Sequence, residues 1–357
     1  MKNIVFSKFN HEVDILRQRV LFKECFPTAT DFQNSLELYK WKFHTNYNEK
    51  NSLEYIASQQ NQIIGYYAAL PYKYQIQEQI IWSGMVCDVM TGVQSRGKGV
   101  FTKLGTYSTE DIKENNYDFT TGFPIKPEVI PGHLKIGWKI VNKLPLYFSP
   151  VSVHFLKNKI GFLVYPINIF LKYINIISSL ICNLFTDSKI KIEEIFIPNL
   201  EHVEGLEKFY QEVAKNEKVS LIKDLSFLKW RLSAPGAIYK VFVSRLNGKL
   251  SGIIIARKFY RGKINCYGII ELATIKNNEN HQFQLLSILK KHARLDKVDL
   301  IVTMMSSLYY KKYKLYLMFF FTSFKYFTFI IKNFSLNDSL LNKKNLWNPM
   351  WINSDDL

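Results

Sequence analysis

The sequence predicts a mixed α/β fold in two domains, each a mostly antiparallel sheet flanked by helices. Three observations carry this. First, 357 residues with 47% hydrophobic content supply two cores rather than one. Second, the chain repeats itself: Leu36 to Phe43 (LELYKWKF) returns as Leu225 to Leu232 (LSFLKWRL). Each copy is followed by a turn and an apolar run, Ile63 to Leu70 in the first and Leu250 to Ala256 in the second. Trp41 lies 24 residues before Gly65, and Trp230 lies 22 before Gly252. Third, a strand-like segment, a glycine loop and a helix follow one another between Met85 and Glu114.

Taken in order, Val13 to Phe26 and the segment around Trp41 read as helices. Leu53 to Gln59, Ile63 to Leu70, Lys73 to Trp82 and Met85 to Thr91 read as strands. The β-branched and aromatic runs beside Asn-Gln and Asn-Gly turn signals give an antiparallel pair in each copy. Val100, Leu104, Tyr107 and Ile112 fall on one face of a helix over Val100 to Glu114, and Asp118 to Phe123 is a further strand. The domains expected are residues 1–150, an apolar connecting segment 151–190, and a second domain 191–357.

The loop Gln94-Ser95-Arg96-Gly97-Lys98-Gly99 carries the chemistry. Gly97 and Gly99 let the backbone adopt positive φ and approach a ligand closely. The helix starting at Val100 points its first N–H groups, with about half a positive charge, at the same spot, and Arg96 and Lys98 add whole charges. This is a phosphate or pyrophosphate trap, but neither a Walker A loop nor a G-x-G-x-x-G dinucleotide loop. Val86, Asp88 and Met90 alternate with Cys87 and Val89 along the preceding strand, which puts Asp88 between apolar neighbours as a candidate general base.

Gln94-x-x-Gly97-x-Gly99 between a strand and a helix resembles the Q/R-x-x-G-x-G/A signature of the GCN5-related N-acetyltransferases (GNAT). Gly122-Phe123-Pro124 and Leu134-Lys135-Ile136-Gly137-Trp138 resemble that family's later strand and its closing motif. The resemblance implies two GNAT-like domains, the second degenerate, and an acyl-coenzyme A co-substrate, acetyl-CoA first of all. It places the co-substrate on Val89, Met90, Thr91, Gln94, Ser95, Arg96, Gly97, Lys98, Gly99 and Val100. Backbone N–H groups near Val89 and Met90 would face the oxyanion, and the strand near Thr120 would splay away to admit the thioester. His133 stands where the family's general-acid tyrosine usually stands. The whole chain is similar to tandem acyltransferases of bacterial surface-polysaccharide pathways. That likeness implies a small-molecule amine acceptor such as a nucleotide-linked amino sugar. In the second copy, Ile275 to His281 has no glycine and carries Glu279, so no coenzyme A is expected there.

Cys25, Cys87, Cys182 and Cys266 form no CxxC or Cys/His cluster, so neither structural zinc nor a disulfide framework is expected, and no metal is assigned. A reducing cytoplasm fits, and Met1 to Val13 lacks the apolar run of a secretory signal. The net charge of +17 attracts polyanions. Ile160 to Phe185 is long enough to span a bilayer, but Pro166, Asn168, Lys172, Asn175 and Asn183 suit an interfacial or protein-packed helix better. Nine basic residues among aromatics between Lys290 and Lys332 admit three readings: domain core, membrane surface, or a single-stranded nucleic-acid groove. The expected partners are a small amine and, peripherally, a membrane, without nucleic acid. The alternatives to an enzyme are a non-catalytic acyl-CoA sensor or scaffold and, after it, a basic nucleic-acid-binding protein.

Overall fold

The computed structural model describes residues 3–44, 47–184, 189–275 and 279–354. Along the first part run β1 (Val5–Lys8), α1 (Ile15–Cys25), α2 (Leu36–Phe43), β2 (Leu53–Gln59), β3 (Gln62–Ile76), β4 (Gln79–Thr91), α3 (Val100–Glu114), β5 (Phe119–Gly122), α4 (Ile130–Lys135) and β6 (Lys139–Pro150). Next come α5 (Lys157–Ile160), α6 (Val164–Leu184), β7 (Ile190–Ile195), α7 (Leu206–Lys215), β8 (Val219–Leu221), α8 (Leu225–Leu232), β9 (Ile238–Leu246), β10 (Lys249–Arg261) and β11 (Ile264–Thr274). Then follow α9 (Glu279–Leu295), β12 (Leu300–Met304), α10 (Ser307–Lys312), β13 (Phe321–Asn333) and α11 (Asp338–Leu341).

Two compact units result, and they are not contiguous in sequence. Unit 1 is Met1–Asn142 with Thr328–Leu346, and unit 2 is Lys143–Phe327 with Trp347–Leu357. This differs from the linear division expected at residues 150 and 190. Residues 151–190 are part of unit 2 rather than a connector, and the end of β13 serves unit 1, where Ile330–Asn333 pair with β5. Such exchanges follow from pairing across some 200 residues of chain, which no local periodicity encodes.

In unit 1 the strands run β1-β2-β3-β4-β5-β13, antiparallel except for the β4–β5 pair. The amphipathic stripe of α3 (Val100, Leu104, Ile112) buries itself against Tyr55, Ala57, Tyr67, Ala69 and Val86. Gly65 makes the close approach possible, since a Cβ there would lie 3.1 Å from both Leu104 and Val100. α1 packs on β3 and β4. α2 starts where the Ser35 side chain accepts from Leu38 N–H at 3.1 Å, an N-cap. Ile63–Leu70 and the first part of the strand expected at Lys73–Trp82 form one long β3, the rest of that segment from Gln79 belongs to β4, and the hairpin turn falls between them at Gln77–Glu78, both at positive φ. Gln-Glu carries no turn signature, whereas Pro71 inside the strand does, so the sequence pointed to the wrong break.

Unit 2 has the same order of elements: a capped short helix α8 (Asp224 accepting from Phe227 N–H at 2.8 Å), β9, β10, β11, helix α9 and β12. Its strands run β7-β9-β10-β11-β12-β6, with β11–β12 the parallel pair. Phe283, Leu286, Leu289 and Ala293 of α9 pack on Phe242, Ile254 and Tyr267. The C-terminal Trp347, Met350, Trp351 and Ile352 are buried.

Candidate functional site

The site in unit 1 begins with a break in the sheet. Tyr66 pairs with Met90 and Ala68 with Cys87, so Asp88 and Val89 together stand opposite Tyr67. This is a β-bulge, and Asp88 takes the left-handed φ of 49°. The alternation expected through Asp88 is therefore wrong beyond Cys87: the extra residue resets which face each side chain takes. On its other edge β4 pairs with β5 only from Ser83 to Val86, the last pair being Val86 with Gly122. β4 runs on to Thr91 without β5 beside it. A strand edge left open in this way offers main-chain groups to an extended ligand.

Past Thr91 the chain makes a 3-10 turn at Val93–Ser95 and enters α3 through Gly97 (φ 73°) and Gly99 (φ 76°). A Cβ on Gly97 would meet nothing within 4 Å, and one on Gly99 only Thr102 Oγ1 at 3.9 Å. Packing therefore does not require these glycines. The left-handed backbone does, and the space above it is open. Gln94, Arg96, Lys98 and both glycines are exposed, while Ser95 and Val100 are buried and anchor the loop. Gly99 caps α3 without a side chain, leaving the first N–H groups of the helix free of a side-chain cap. Arg96 Nε donates to Thr91 O at 3.3 Å, and Cys25 Sγ to the same carbonyl at 3.4 Å. Val93 N–H donates to Glu24 Oε1 at 2.5 Å. The C-terminal end of α1 thus braces the loop. These features fit a pyrophosphate group, with the loop backbone and the exposed Arg96 and Lys98 as its partners.

On the face of the sheet opposite α3, a polar cluster escaped the sequence reading. Glu54 of β2, only 5% exposed, accepts from Tyr39 Oη of α2 at 2.6 Å and from Tyr66 Oη of β3. Burial raises its carboxyl to about 7, against the opposing pull of the two tyrosine hydrogen bonds. Its Oε1 accepts no hydrogen bond within the usual limits, but His11 Nε2 stands 3.5 Å away. His11 Nδ1 is 2.6 Å from His44 Nε2, and both rings are exposed. Burial lowers both imidazoles below the usual histidine range. Asp88 is held by Lys42 Nζ of α2 at 2.9 Å. Buried Arg19 stacks on Phe22 and Tyr39, and its charge reaches both Asp88 and Glu54. His11, His44 and Glu54 each offer a donor atom within 4.8 Å of the others, the one set among the described residues that could hold a cation. As it stands, the set runs from two exposed imidazoles, hydrogen-bonded to each other, to a buried carboxyl that His11 approaches without a hydrogen bond. The available signal was a glutamate inside a β-branched and aromatic strand, between Leu53 and Tyr55.

His133 is not part of this cluster. It lies on α4, 4% exposed, edge-on to Phe101 (5.0 Å) and Trp138 (5.1 Å). Burial lowers its imidazole to about 4, so the ring is neutral near pH 7. Cys87 is buried. Val89 and Thr91 are half-buried and Met90 is buried.

Unit 2 has a related break: Ile255 pairs with Glu271 and Ala256 with Ile269, so Ile270 is the extra residue. Buried Glu271 pairs with Lys223 Nζ at 2.8 Å, and burial raises its carboxyl. The segment Ile275 to His281, expected to bind no coenzyme A, lies in part outside the described residues.

Residues 11–141 match the family described as Acetyltransferase (GNAT) domain. Comparison with curated proteins finds no match. Similar solved structures include a GCN5-related N-acetyltransferase from Anabaena variabilis, 12% identical with a TM-score of 0.63, covering 92% of this chain and 72% of that one. A tandem GNAT protein from the clavulanic acid biosynthesis pathway is 10% identical with a TM-score of 0.59, covering 94% and 100%. Saccharomyces cerevisiae N-myristoyltransferase with bound myristoyl-CoA is 11% identical with a TM-score of 0.61, covering 100% and 85%. Residues 11–141 are thus similar to a GNAT acetyltransferase domain, and the chain has a GNAT-like mixed α/β fold.

Proposed function

We propose that unit 1 transfers an acetyl group from acetyl-CoA to a small-molecule amine. The observation that carries this is the parting of β4 from β5 after Val86 and Gly122, directly before the glycine-capped start of α3. The pyrophosphate lies on Gln94 to Val100, and the extended arm runs along the open edge at Val89, Met90 and Thr91, whose backbone N–H groups face the oxyanion. Phe123, the first residue past the last pair, stacks on Phe329 at 5.0 Å, and we read this ring pair as closing the way to a long acyl chain. This supports acetyl over longer donors.

Asp88, at the bulge and neutralised by Lys42, receives the acceptor ammonium. Glu54, titrating at about 7, stores its proton and releases it through His11 and His44 to solvent. The free amine attacks the thioester carbonyl, the C–S bond breaks, and the proton shed by the new amide nitrogen passes through water to the departing thiolate. In this reading His133, the acid that the resemblance implies, is a neutral packing group. Unit 2 is read as a second, degenerate copy that binds no coenzyme A, on its matching order of elements and its bulge at Ile270. An amino sugar of surface-polysaccharide synthesis is the acceptor class favoured by the family resemblance, and the cytoplasm the compartment.

Calorimetric titration of acetyl-CoA and desulfo-CoA into the chain, beside Gly97→Asp, tests the reading. One site, lost in the variant, supports it and opens an amine screen led by nucleotide-linked amino sugars. Binding without turnover on any amine would favour a sensor, and no binding at all would refute the acyl-CoA site.

A further inference from the structure

α6 presents its apolar side outward. Val164, Leu171 and Ser178, spaced as one helical stripe, are buried on unit 2. Phe162 (78% exposed), just before the helix, and Tyr165, Ile169, Tyr173 (61%), Ile176 and Leu180 face away from it, with Phe170 (64%) beside them. Isolated exposed apolar residues are ordinary, but a contiguous outward stripe of this length marks an interaction surface. Polar bonds fix the helix lengthwise to its unit: Val153 N–H donates to Asn168 Oδ1 at 2.8 Å, and Lys290 Nζ of α9 to Ser178 Oγ at 3.5 Å.

The segment that carries this stripe has charge of one sign. From Val151 to Leu184 the sequence has no acidic residue, while Lys157, Lys159 and Lys172 are all exposed. An open groove of about 500 Å³ beside the helix is lined by His154, Asn168, Lys172, Ile176, Leu180 and Arg294, among others. Two cations at the edge of an apolar stripe are complementary to a surface that is oily inside and anionic at its rim. The stretch His154–Ser178 is long and apolar enough to cross a membrane by length and composition. Its buried stripe and its bonds to the rest of unit 2 instead keep it lying along the protein, with Lys172 in its middle.

We propose that α6 is a docking helix for an anionic bilayer. Its outward apolar stripe enters the boundary between headgroups and acyl chains, and Lys172 and Arg294 bind a lipid phosphate in the groove. This stands on unit 2 alone and is independent of the acyl-CoA reading.

The test is co-sedimentation of the full chain with vesicles of phosphatidylcholine, with and without 30% phosphatidylglycerol (about one lipid in three). Binding is expected on the anionic vesicles, weakened by salt. Phe170→Glu with Tyr173→Glu should reduce partitioning at least ~10-fold, since a charge replaces each buried ring. Lys172→Glu with Arg294→Glu should remove ~5-fold or more per position and abolish the preference for the anionic lipid. All four side chains are exposed, so the variants should keep their circular dichroism. The proposal is overturned by absence of vesicle binding, whether the chain is monomeric or self-associates through α6 in sedimentation velocity. Binding indifferent to the Phe170 and Tyr173 changes, or resistance of membrane-bound chain to alkaline carbonate extraction, would overturn it too.

Discussion

Replacing Glu54 by glutamine should remove a pH dependence from the stability of the protein. In the folded chain the Glu54 carboxyl titrates at about 7 because it is buried, against an ordinary value of 4.5. Below 4.5 folded and unfolded chains both hold the proton, and Glu54 contributes no slope. Between 4.5 and about 7 the unfolded chain releases the proton while the folded one keeps it, so stability falls as pH rises. Above about 7 both are ionised and the loss is complete. At about 1.4 kcal/mol per pH unit, the loss between pH 5 and pH 8 is about 2.5 kcal/mol. Glu54→Gln keeps an oxygen to accept from Tyr39 and Tyr66 but has no proton to lose. Urea unfolding of both proteins across this range should show the variant gaining about 2.5 kcal/mol on the parent, on the order of 1 M in midpoint. Parallel stability profiles would refute the raised carboxyl, and with it the role of Glu54 as a proton store. If that role holds, the rise of kcat/KM toward about pH 7 should also vanish in the variant.

Three further outcomes are expected. His133→Gln should leave kcat within ~3-fold, because a ring neutral down to about pH 4 is not the acid; a ~100-fold loss at unchanged KM would restore the acid role. The same variant should lose the acid-side instability of the parent: an unfolded histidine protonates near 6.5 while the buried one stays neutral to about 4, so stability drops as pH falls between them. Gly65→Ala should cost about 1–3 kcal/mol in urea unfolding, because its Cβ would sit 3.1 Å from Leu104 and Val100 and 3.2 Å from Ala57; wild-type stability would show that α3 does not pack that tightly.

The sequence by itself determined whatever depends on neighbours a few residues away. The 3.6-residue stripe of Val100, Leu104 and Ile112 gave α3 its full extent, Val100–Glu114. The repeated LELYKWKF and LSFLKWRL became the capped helices α2 and α8. Gly97 and Gly99 announced the left-handed loop between β4 and α3 because no other residue adopts that backbone so cheaply. Tertiary structure decided the rest. The bulge at Asp88 is a property of two strands in register, so the alternation read from one strand failed beyond Cys87. Glu54 became a proton-holding group only when β2, β3 and α2 closed around it with Tyr66 and Tyr39, since burial and not residue type moved its carboxyl. His133, which the resemblance implied as an acid, became a buried, neutral ring through contacts with Phe101 and Trp138. The last strand of unit 1 comes from residues beyond 327, a pairing paid for in long-range contacts and therefore invisible to any local pattern.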